Sequence, residues 1–67
     1  MTLSRQEERV LRLRAEGLTI AEVAHRLGIS SATVRGHSMS IYTKLGVTNL
    51  VAALAAMGWV NIPKEPA

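Results

Sequence analysis

The stretch Ile20-Ala-Glu-Val-Ala-His-Arg-Leu-Gly-Ile-Ser-Ser-Ala-Thr-Val-Arg-Gly-His37 decides the fold. Thr19, just before it, and Glu22, three residues on, have the form of a capping box, in which each side chain satisfies the other residue's free backbone N–H at a helix start. The helix so opened carries Ala21, Val23, Ala24 and Leu27 on one side, and Gly28 stops it. Ser30 caps the next helix, whose inward stripe Val34, Ser38, Ile41 and Leu45 recurs at three- and four-residue steps up to Gly46. Two helices crossing steeply over a tight turn come close at one point, so Ala24 is small there and Gly28 is free to take the positive φ of the turn. Leu27, Ile29 and Val34 fill the angle from inside. The spacing predicts a helix-turn-helix whose second helix is shaped to enter a DNA major groove.

Working outward, caps and periodicity predict four helices and no strand, hence an all-α domain. Ser4 with Glu7 is a second capping box, so helix 1 begins near Arg5. Val10, Leu11 and Leu13 form its apolar side, Arg5, Glu8, Arg9, Arg12 and Glu16 the opposite one, and Gly17 ends it. Helix 3 runs from about 31 to 45. Thr48 or Asn49 caps helix 4, about 49–57, which has no polar residue from Leu50 to Met57. One domain over 3–62 and a frayed tail over 63–67 complete the expectation, with Trp59 capping the core and His37 packed at its edge.

Composition narrows the function. A domain of 67 residues buries only roughly 60% of its unfolded surface, so help from a partner is expected. There is no cysteine, and two histidines are too few for a zinc cage. No nucleophile with a base, no carboxylate pair and no metal set can be assembled, so neither an enzyme nor a cofactor is expected. No segment approaches the roughly 20 apolar residues of a membrane span, and the start lacks a signal-peptide core, which points to a soluble, cytoplasmic protein. The net charge is +3, and no acid stands between Val23 and Lys64, leaving Arg26, Arg35 and Lys44 unopposed along the chain. A polyanion is the natural partner of such a surface.

Leu3-Ser4 to Glu7, Glu22-Val23-Ala24, Leu27-Gly28-Ile29-Ser30, Thr33-Val34-Arg35 and His37, followed by Ile41-Tyr42, Lys44-Leu45-Gly46-Val47 and Asn49, resemble the LuxR-type, GerE-like DNA-binding domain in order and spacing. The resemblance extends from Leu3 to about Val60. It implies a four-helix transcription regulator domain with helix 3 as the DNA reader and helix 4 often used for dimerisation, commonly at the C-terminus of larger regulators. Such regulators join it to a phosphoacceptor or ligand-binding module, for which 67 residues leave no room, so the chain stands alone or is a piece of something longer. Leu50 departs from the family's usual arginine, and Gly36 and Met39 stand where charged or polar residues are frequent. Two rivals accompany this reading. The promoter-reading C-terminal region of sigma factors shares the Leu-Ser opening and the Gly-Ile-Ser-x-x-Thr-Val-Arg core, and a protein-interaction module could keep the fold without DNA binding.

At 100° per residue, Ala32, Arg35, Gly36, Met39, Ser40 and Thr43 point away from the core stripe of helix 3 and are the candidates for the DNA face. Arg35 suits a guanine or a phosphate, Met39 a thymine methyl or plain exposure, and Gly36 a close approach to DNA or simple drift. Ser31 and Thr33 lie by the free N–H groups of the first turn, a phosphate-binding arrangement, or serve in capping. Lys44 reaches backbone phosphate or complements the helix C-terminus, and His25 and Arg26 are further phosphate candidates. On helix 4, Leu50, Ala53, Leu54 and Met57 cover the core, while Val51, Ala52, Ala55 and Ala56 form the opposite strip, the expected homodimer interface. The expected partners are thus double-stranded DNA, a second copy and RNA polymerase, and no membrane.

Overall fold

The computed structural model describes residues 2–59, so the expectations for Val60, Ile62 and the 63–67 tail lie outside the described residues. Four helices follow in order: α1 (Arg5–Ala15), α2 (Ile20–Leu27), α3 (Ser31–Leu45) and α4 (Leu50–Met57). Among the described residues there is no strand. Helix α3 is the hub: it packs against α1, α2 and α4, while α1 also touches α2 and α4. Among the described residues no single helix is long and apolar enough to cross a membrane.

Both capping boxes form. In α1 the Glu7 N–H donates to Ser4 Oγ at 3.1 Å and the Ser4 N–H to Glu7 Oε1 at 2.8 Å; Thr19 and Glu22 repeat this in α2. Ser30 alone caps α3, and of the two candidates for α4 it is Asn49 that accepts the Ala52 N–H, at 2.8 Å. At the other ends one device recurs. Gly28 takes φ +70°, which lets the Ile29 N–H reach back to the Ala24 carbonyl at 3.0 Å and turns Ile29 onto the core. A β-carbon would be strained in that conformation. Gly17-Leu18, Gly46-Val47 and Gly58-Trp59 close their helices likewise, each with the apolar residue bonded five residues back.

The core is Val10 and Leu11 from α1, Val23 and Ala24 from α2, Val34 and Ile41 from α3, and Ala53 and Leu54 from α4. Ala24 is buried, and α2 packs on α3. Leu27, Ile29, Leu45, Leu50, Met57 and Trp59 close over this centre. Trp59 also carries the Arg12 guanidinium over its ring, 4.3 Å from the centroid, which pins the end of α4 to α1. Ser38, polar within the α3 stripe, donates to the Val34 carbonyl one turn back at 3.0 Å, so its hydroxyl is satisfied inside the helix.

Candidate nucleic-acid interface

Helix α3 presents one face outward because the other is committed. Val34 and Ile41 are wholly buried, which turns Ala32, Arg35, Gly36, Met39 and Thr43 to solvent. These five lie within about one third of the helix circumference. Met39 is 66% exposed, and Arg35 is exposed with no ion-pair partner among the described residues. Gly36 has helical backbone, and a β-carbon built there would meet nothing within 4 Å.

The start of α3 is chemically unlike those of α1 and α2. Their first turns hold Glu7 and Glu22, whereas the first turn of α3 holds no acid. The positive end of its helix dipole is therefore offset only by the Ser30 cap. Thr33 Oγ1 lies 2.8 Å from Ser30 Oγ, so this hydroxyl belongs to the cap, while Ser31 is half-buried beside it. His25 and Arg26 sit on α2 along a shallow groove that also includes Glu16, Leu18, Ala21 and Glu22. Glu22 is held below the usual carboxylate range, first by the Thr19 N–H and hydroxyl, with Arg26 one turn on adding to it.

Ser40 lies off the outward face to which the helical wheel assigns it, with Lys44 beside it. Both lie on the flank of α3 that faces α1, and both are spent on Glu7. Ser40 Oγ donates to Glu7 Oε2 at 2.5 Å and Lys44 Nζ to Glu7 Oε1 at 2.7 Å. Glu7, read from sequence as a capping residue only, is 5% exposed and holds the network that ties the start of α1 to the second half of α3. Bonds from Lys44 first, then Ser40 and the Ser4 N–H, lower its pKa from 4.5 to about 2, overcoming the burial that would raise it. Lys44 is thus not unopposed: its counter-charge lies 37 residues away in sequence, beyond any local reading of charge. The signal available in sequence was the buried register of Glu7, between Leu3 and Val10–Leu11, facing a helix with a hydroxyl and a cation one turn apart.

On α4, Ala53 and Leu54 are buried and Leu50 and Met57 lie against the core. Val51, 55% exposed, and Ala56 face solvent, with Ala52 and Ala55 half-buried between.

Comparison with known proteins agrees with this geometry. The family described as bacterial regulatory proteins, luxR family, matches residues 1–57. The chain is 41% identical over 60 residues to the probable transcriptional regulatory protein SgaR of Hyphomicrobium methylovorum, covering 90% of this chain and 28% of that protein. It is 40% identical over 60 residues to the transcriptional regulatory protein RcsB of Escherichia coli, with the same coverage. The crystal structure of response regulator ChrA from a heme-sensing two-component system superposes with a TM-score of 0.82 at 41% identity, over 87% of this chain and 29% of that one. The chain therefore spans less than a third of the length of these relatives. By family match, by identity and by the four-helix fold, the chain belongs to the luxR family of bacterial regulatory proteins and corresponds to their helix-turn-helix DNA-binding domain.

Proposed function

We propose that this domain binds double-stranded DNA in a sequence-specific manner to regulate transcription, with α3 in the major groove and α4 joining two copies. The single observation that carries this reading is the exposed face of α3: Arg35, Gly36, Met39 and Thr43 stand on a helix braced from behind by Val34 and Ile41. Arg35 supplies the guanidinium fork for a guanine edge or a phosphate, and Met39 an apolar contact for a thymine methyl. The acid-free first turn, with Ser31 and the Ser30–Thr33 cap, suits a backbone phosphate. Ser40 and Lys44 are left out of this contact because Glu7 occupies them.

The dimer reading rests on Val51, Ala52, Ala55 and Ala56, an uncharged strip on the side of α4 away from the core. Small side chains let two such helices approach closely across a two-fold axis. RNA polymerase is a further partner of this role, and the bacterial nucleoid its setting.

One titration series tests the reading. Wild type and Val51→Arg are titrated with one-half-site and two-half-site duplexes, chosen from a random pool, over a range of salt. Wild type should bind with affinity falling as salt rises, and Val51→Arg should keep single-half-site binding while losing the advantage of the second site. No salt-sensitive retention of any duplex would favour an interaction module that shares the fold. A wild type that stays monomeric on two-half-site DNA would remove α4 from the proposal.

A further inference from the structure

The Glu7 network lies beside the reading face and bears on what that face can do. On α3, Ser40 and Lys44 lie between the outward face, centred on Gly36 and Thr43, and the buried stripe of Val34 and Ile41. Lys44 follows Thr43 directly, and its side chain is 31% exposed, so its stem is long enough to swing toward a duplex lying on α3. It instead turns toward α1, where Glu7 is 95% covered and cannot leave. The described residues of α3 carry two cations, Arg35 and Lys44, and this bond leaves Arg35 as the uncompensated one.

We propose that Glu7 is a positioning residue for DNA recognition, which by holding Lys44 and Ser40 withdraws the Lys44 charge from phosphate contact and so favours sequence reading over general attraction to DNA. The proposal rests on the DNA-binding reading above. A carboxylate 2.7 Å from the ammonium cancels most of its field at a phosphate several ångströms further off, so the pair approaches DNA as a near-neutral group. General attraction to the duplex depends on the count of cations released to phosphate, each contributing roughly −0.9 to the slope of log affinity against log salt. One charge withdrawn therefore lowers affinity for all sequences alike and leaves discrimination to the residues that touch base edges. The same bonds fix the roll of α3 on α1, so that the groove is met by the face centred on Gly36 and Thr43.

The test compares wild type, Glu7→Gln and the double variant Glu7→Gln/Lys44→Gln on a random-sequence duplex and on a selected one across a range of salt. Glu7→Gln keeps the shape of the side chain and removes the charge. The expected result is a slope steeper by roughly 0.9 on both duplexes and several-fold tighter binding to random DNA, with a smaller gain on the selected duplex because the roll of α3 is no longer fixed by the charged bond, and with the double variant returning to the wild-type slope. A variant that is merely less stable would shift its melting curve without steepening the slope, and that outcome overturns the proposal. Should Glu7→Gln not fold at the assay temperature, Lys44→Gln in the otherwise native chain decides. An unchanged slope supports the proposal, and a slope shallower by roughly 0.9 shows Lys44 already on phosphate and overturns it. Wild type that binds DNA while Glu7→Gln follows its slope sinks this inference and leaves the DNA-binding reading intact. Wild type that binds no duplex sinks both.

Discussion

From Ser31 to Met39, α3 has one buried anchor, Val34, an acid-free first turn and an outward face with an unpaired arginine. From Ser40 to Leu45 the same helix is gripped: Ile41 is buried, Leu45 lies on the core, and Ser40 and Lys44 are bonded to a carboxylate of α1. One half is thus left open for a ligand and the other is spent on holding the helix in place. The difference teaches that a reading helix needs a rigid root, since a contact of hydrogen-bond precision fails if its backbone can roll. The root here combines apolar burial with an ion pair on the buried carboxylate of Glu7, while the open half keeps Arg35 unpaired among the described residues.

The largest test of this division is Ile41→Ala. Removing a wholly buried side chain where α3 is rooted should cost about 3 kcal/mol, most of the stability of so small a domain, and the loss is read from the thermal or denaturant midpoint. Arg35→Ala should do the opposite: unchanged melting within about 0.5 kcal/mol, and DNA affinity lower by about 1–3 kcal/mol on the preferred site. A loss of equal size on random DNA would assign Arg35 to phosphate rather than to a base, and unchanged binding on both would remove it from the interface.

Acid titration probes the root more gently. The folded-state pKa of Glu7 lies at about 2, below its ordinary 4.5, so its contribution is fully present above about pH 4.5 and is lost as pH falls from there toward 2. With Lys44 partly in water the amount is on the order of 1–2 kcal/mol, and Glu7→Gln should flatten that part of the stability curve. The smallest effect belongs to the open half. Gly36→Ala places a methyl group in free space on a helical backbone and should raise stability by about 0.5–1 kcal/mol. Whether it also weakens duplex binding separates a close helix–DNA approach from a glycine that serves no contact, and it sharpens the contrast between the two halves.

The four helices, their starts at Ser4, Thr19 and Ser30 and their stops at the glycines were legible in the chain, because capping and chain reversal depend on residues three to five positions apart. The same holds for the buried stripe Val34, Ile41 and Leu45 and for the outward set around Arg35, since helical periodicity assigns a side to each residue once the helix is granted. The choice between Thr48 and Asn49 as cap of α4 was not fixed locally, as both residues have the required chemistry, and in the structure Asn49 takes that role. What only the tertiary structure decided is the fate of the residues on the flanks of α3. Periodicity put Ser40 on the outward side and left Lys44 to a phosphate or to the helix C-terminus. The packing of α1 against α3 brings the carboxylate of Glu7 to that flank, and a buried charge must find its partners whatever their distance along the chain.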